Sequence, residues 1–104
     1  MTPDPIFKAL SDPTRRALFE RLCREGELSV GALTATSGIS QPAVSKHLAL
    51  LKSAGLVSQQ PFGRETPYRA EPGGLAPLAD WMRASVFWEK KLDALTELLK
   101  RMDQ

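Results

Sequence analysis

Residues 40–48 read Ser40-Gln41-Pro42-Ala43-Val44-Ser45-Lys46-His47-Leu48, and this stretch decides the fold. Ser40 is a helix cap, because its hydroxyl can accept one of the first amides, which no carbonyl of the helix can reach. Pro42 falls in the first turn, where a missing N–H does no harm. Ile39 and Val44 stand at the two positions of a hydrophobic staple, which fixes the angle of entry. Val44, Leu48 and Leu51 then recur at i, i+4 and i+7 and define one buried face. Gln41, Ser45, Lys46 and Lys52 lie off that face, and Gly55 ends the helix.

Upstream, Ser29 caps a short helix containing Val30 and Leu33, with Gly38 just past its end. Two helices joined by a tight glycine-containing turn make a helix-turn-helix over about residues 29–54. Before it, Asp12-Pro13 reads as cap and first helical residue, Ala17, Leu18 and Leu22 as an apolar face, and Gly26 as the stop. Pro3, Asp4 and Pro5 open a further short helix that ends near Leu10.

Downstream, residues 56–60 and 66–70 read as two short strands around Phe62-Gly63-Arg64-Glu65, a hairpin wing over about 56–70. Pro61 and Pro67 remove ladder donors, so both strands should be short and edge-like. Gly73-Gly74 breaks the chain, and Pro77 falls in the first turn of a long helix over about 75–102. Its stripe is Leu78, Trp81, Ser85, Trp88, Leu92, Leu95, Leu99 and Met102, in steps of three and four. Such a helix is about 40 Å long. A compact 100-residue domain is only about 26 Å across by its radius of gyration. Part of the stripe therefore stays wet in a monomer, and a second copy is the economical cover.

The 104 residues suit a single domain, mainly α with a small β-hairpin wing. The longest apolar run is four residues, 48–51, far short of the roughly twenty that span a membrane. The first residues lack the basic and apolar regions of a secretory signal. A single cysteine, Cys23, makes no internal disulfide, so a cytoplasmic location is expected. The formal charge is only +2, yet Lys46, Lys52, Arg64 and Arg69 face Glu65 alone between residues 40 and 70. A local basic segment of that kind can bind a polyanion. Nothing reads as an enzyme. There is no Ser/His/Asp set and no phosphate-cradling glycine loop, and the single histidine has no partner at motif spacing.

Ala9-Leu10-Ser11-Asp12-Pro13-Thr14-Arg15-Arg16, the 40–48 stretch, and Ala54-Gly55-Leu56-Val57 together resemble the winged-helix repressors of the ArsR/SmtB family. The resemblance covers nearly the whole chain. It implies a homodimeric DNA-binding regulator, usually a repressor, whose first and last helices pair and whose 40–53 helix enters the major groove. Many members carry Glu-Leu-Cys-Val-Cys-Asp-Leu before that helix. Here the matching stretch is Glu27-Leu28-Ser29-Val30-Gly31-Ala32-Leu33, without either thiolate that a soft metal needs. The last helix holds neither His nor Cys, only Asp80, Glu89, Asp93, Glu97 and Asp103 among acidic residues. No metal and no other cofactor is expected. The inducer is open.

The DNA-contact candidates are Ser40, Gln41, Pro42, Ser45, Lys46, His47, Lys52 and Arg64. Gln can read an adenine edge, Ser either donates or accepts, and Lys reaches guanine or phosphate. His47 could touch phosphate or cover the helix flank. Arg64 is a wing contact to phosphate or the minor groove, in a wing less basic than many. Arg15 and Arg16 could reach phosphate, and Arg15 could equally be a structural ion-pair partner. Tyr68 is expected to pack and Cys23 to be a small core residue. The dimer-interface candidates are Leu78, Trp81, Trp88, Leu92, Leu95, Leu99 and Met102. The competing class is an interaction module that recruits another protein through the long helix, with the helix-turn-helix only as scaffold.

Overall fold

A computed structural model describes residues 2–84 and 86–102, and the side chains of residues 85–89 lie outside the description. Along the chain run α1 (Asp4–Leu10), α2 (Pro13–Glu25), α3 (Val30–Ala35), α4 (Gln41–Ser53), β1 (Val57–Gln59), β2 (Tyr68–Ala70), α5 (Ala76–Ala84) and α6 (Val86–Met102).

Three of the helices start on side-chain caps at the expected residues. Asp12 Oδ1 accepts the Arg15 amide at 2.9 Å, Ser29 Oγ that of Ala32 at 3.1 Å, and Ser40 Oγ that of Ala43 at 3.3 Å. Each bond satisfies an amide that the helix itself leaves unpaired. Between α3 and α4 the chain reverses through Gly38, whose φ of +76° is a conformation that side chains with a Cβ disfavour. Ser37 stitches that turn: its hydroxyl donates to the Thr34 carbonyl at 3.0 Å and accepts the Ile39 amide at 3.2 Å.

The core lies where α2, α3 and α4 meet the hairpin. Leu22, Leu33, Val44, Leu48, Leu51 and Leu56 are fully buried there. Ile39 packs against this cluster from the helix entrance, as a staple residue should. The hairpin is antiparallel, with Val57 opposite Ala70 and Gln59 opposite Tyr68. Leu28 adds an isolated bridge to β2 from outside the hairpin, exchanging both backbone bonds with Tyr68 at 3.0 and 2.9 Å. The regular strands are three residues each, shorter than the five expected, because Pro61 and Pro67 interrupt the ladder.

Gly74 is fixed by close approach. A Cβ there would lie 2.6 Å from the Gly55 carbonyl oxygen and 3.1 Å from Leu56 Cα, so the end of α4 and the start of α5 can touch only through glycine. The expected long helix is described as α5 and α6, with Ser85 outside the described residues. The molecule measures 58 × 32 × 22 Å with a radius of gyration of 17.5 Å, against about 13 Å for a compact chain of 100 residues. The excess is the last helix standing away from the core.

Two expectations about α2 are corrected. Cys23 is exposed rather than a core residue, because Leu18, Phe19 and Leu22 take the inward arc and Cys23 falls about 40° beyond its edge at Phe19. Partial burial and the Glu20 carboxylate push its thiol pKa up, against the pull of Arg24. Ala17 is also exposed, turned about 100° from Leu18 on the other side of that arc. Leu78, one of the expected interface residues, is half-buried against the core of its own protomer.

Candidate nucleic-acid interface

Helix α4 buries Val44, Leu48 and Leu51 completely. At about 100° per residue these three span an arc of roughly 60°. The opposite arc carries Pro42, Lys46, Ala49 and Ser53, all exposed. Gln41, Ser45 and Lys52 are exposed along one flank, and His47 is half-buried on the other. The helix therefore presents a largely polar, basic surface of about three turns, interrupted by the exposed Leu50, on a buried apolar footing.

Two contacts tie this surface to its surroundings. Lys52 Nζ donates to Gln59 Oε1 at 3.1 Å, which joins the end of α4 to the first wing strand. On the other flank, an Arg15 side-chain nitrogen lies 3.3 Å from His47 Nδ1. Ser40 is exposed and its hydroxyl already serves as the cap.

Arg64 sits on the exposed wing tip, away from the core. The tip is a two-residue turn in which Phe62 and Glu65 exchange backbone bonds of 2.8 and 3.0 Å. Phe62 is 79 % exposed, so nothing in the protomer holds it down. Tyr68 is buried as expected, and that burial pushes its phenol pKa up.

The basic pair Arg15–Arg16 has a role that counting charges misses. Arg15 Nε donates to the Ala9 carbonyl at 2.5 Å and another nitrogen to the Lys8 carbonyl at 3.3 Å. Arg16 donates to the Leu10 carbonyl at 2.8 Å. The two side chains thus satisfy carbonyls that the end of α1 leaves unpaired. Arg15 is structural, as one of its two readings had it, but its hydrogen-bond partners are carbonyls and an imidazole in place of a carboxylate. The signal in the sequence was the placing of two arginines just after a helix end. Nearby, the Arg15 amide holds the Asp12 carboxyl below its ordinary pKa of 3.8, against some desolvation, with help from the charges of His47 and Arg15.

The last helices carry a second surface. On α6, Leu92, Leu95, Leu99 and Met102 are 56, 51, 55 and 73 % exposed, and Leu98 beside them is open too. Trp81 on α5 is partly exposed and meets Phe7 of α1 edge to face, with ring centroids 5.5 Å apart. The Trp88 side chain lies outside the described residues. Among the described residues, no three His, Cys, Asp or Glu side chains come together as a metal site would need. No described helix is long and apolar enough to cross a membrane.

A family profile described as a helix-turn-helix domain matches residues 10–60, the span from the end of α1 to the first wing strand. The HTH-type transcriptional regulator Rv2034 of Mycobacterium tuberculosis is 42% identical over 98 residues, covering 94% of this chain and 89% of that protein. Further relatives are named as transcriptional repressors. Among solved structures, an ArsR-like transcriptional regulator from Rhodococcus sp. RHA1 superposes with a TM-score of 0.74 at 33% identity, covering 91% of this chain and 90% of that one. A homodimeric winged helix-turn-helix DNA-binding domain from Mycobacterium bovis, a possible ArsR-family regulator, gives 0.65 at 29% identity, covering 77% and 73%. Identity over nearly the whole chain, the helix-turn-helix and the paired wing strands agree: the chain belongs to the ArsR family of winged helix-turn-helix transcriptional regulators.

Proposed function

We propose that the protein is a homodimeric repressor that holds an inverted-repeat operator with α4 of each copy in successive major grooves. The observation that carries this reading is the two-sided build of α4, fully buried along Val44, Leu48 and Leu51 and exposed along Gln41, Ser45, Lys46 and Lys52, with Leu50 open beside them. A major groove admits one helix, and the groups its side chains meet there are base edges flanked by phosphates. Gln41 and Ser45, in the first turns, would read bases. Lys46, Lys52 and Arg64 would neutralise phosphate, and Ser40, Pro42 and His47 complete the contact surface.

The dimer reading rests on the uncovered leucines of α6, and the homodimeric relative supports it. Repression follows from occupancy, since a duplex held on one face by two copies is closed to other proteins there. Regulation is independent of transition metals, because Ser29 and Gly31 stand where thiolate ligands would be needed. The exposed α6 stripe also favours a second reading, a module that docks another protein. A gel shift in moderate salt separates the two. The repressor reading requires retardation of a duplex with both half-sites, loss on scrambling one, and no change with zinc or a chelator. Indifference to every duplex would leave the docking module.

A further inference from the structure

We infer that Arg15 is a positioning residue that fixes the histidine of α4 as a donor to DNA: it holds His47 in the tautomer whose proton lies on Nε2. The inference rests on the DNA-binding reading above and adds a role to a residue outside the helix-turn-helix. The side-chain nitrogen of Arg15 and His47 Nδ1 are 3.3 Å apart. A guanidinium offers five donors and no acceptor, so in this pair Nδ1 must accept. The ring's one remaining proton then sits on Nε2, and which nitrogen carries it is set by the bond the other makes.

Arg15 is well anchored for this task. Its Nε donates to Ala9 O at 2.5 Å and a second nitrogen to Lys8 O at 3.3 Å, so the group aimed at His47 is held at two other points. His47 is half-buried on the flank of α4 opposite Gln41, Ser45 and Lys52. A helix lying in a groove has bases before it and a phosphate wall on either flank. A ring N–H on that flank suits a phosphate oxygen, which accepts and carries charge.

Asparagine and glutamine distinguish the two ring positions. In His47→Asn the amide stands near the place of Nδ1, where its oxygen can accept from Arg15, but no donor remains further out. In His47→Gln the amide reaches the place of Nε2 and keeps a donor there. The expected result is that His47→Asn loses about tenfold or more in affinity, the worth of a hydrogen bond to a charged group. That loss should be equal on operator and random duplex, and the salt slope should be unchanged, because a neutral N–H releases no counterion. His47→Gln, which keeps the outer donor, should bind at least about fivefold more tightly than His47→Asn. In the free protein at mildly alkaline pH, long-range nitrogen–proton NMR should show the His47 ring proton on Nε2. In Arg15→Met the other tautomer should appear. A ring proton on Nδ1 in the wild type would overturn the proposal, as would equal affinities for the Asn and Gln variants. Absence of wild-type binding to any inverted repeat would instead sink the DNA-binding reading itself, whatever the tautomer.

Discussion

Gln41 and Lys52 share a flank of α4, one in its first turn and one in its last, and their chemistry predicts different kinds of loss. A glutamine amide can pair with one base edge, so Gln41→Ala should cost about 1–3 kcal/mol on the operator and relax specificity at one base step. Lys52→Ala or Arg64→Ala should weaken all duplexes alike and lower the salt slope by about one per contact. Salt titrations of each variant on operator and random duplex check both. Asp12 gives a second test, at the start of α2. Its folded pKa is depressed, chiefly by the Arg15 amide, so its contribution to stability is present above its ordinary value of 3.8 and is lost as pH falls through the folded value. Thermal melts across that acid range should show the wild type losing stability more steeply than Asp12→Asn, and parallel curves would contradict this. The exposed polar residues of α4 could be read from sequence because their neighbours obey a strict period. For Arg15 a structural role was legible but its partners were not, because they lie on two other helices.

The elements were legible wherever a local device set their ends. Caps at Asp12, Ser29 and Ser40 and the apolar repeat of α4 depend on residues within one or two turns, and they stand where the sequence puts them. Cys23 and Ala17 were misjudged because a helix face can be drawn from apolar residues alone, while the packing partners decide which part of it is covered. The bridge between Leu28 and Tyr68 joins residues 40 apart, and no local pattern announces it. Gly73-Gly74 was legible as a break, but only the fold separates the two glycines. A Cβ at Gly74 would meet backbone at 2.6 Å, whereas one at Gly73 would meet nothing within 4 Å. Gly74→Ala should therefore destabilise by about 1–3 kcal/mol, as overpacking does, and Gly73→Ala much less. Urea midpoints of the two variants provide the comparison, and equal midpoints would refute the close approach as the reason for glycine.

At the scale of the molecule, the last helix is the feature that asks for a partner. Its leucines are half or more exposed, and the chain is more extended than its length requires. Light scattering in line with size exclusion should give about twice the monomer mass of 11.4 kDa. Leu92→Asp or Leu95→Asp should return it to the monomer, because an unpaired charge is costly to bury in an apolar interface. The same variants should keep the helix content of the wild type, since neither residue is in the core. Pairing also sets the symmetry of the DNA, for two copies related by a two-fold axis read two half-sites in opposite directions. The most direct measurement is selection of bound duplexes from a random pool by the purified protein, followed by sequencing. The account predicts enrichment of an imperfect inverted repeat whose half-site centres lie about one helical turn apart, or a multiple of it. Enrichment of an isolated half-site, or of no sequence at all, would contradict it.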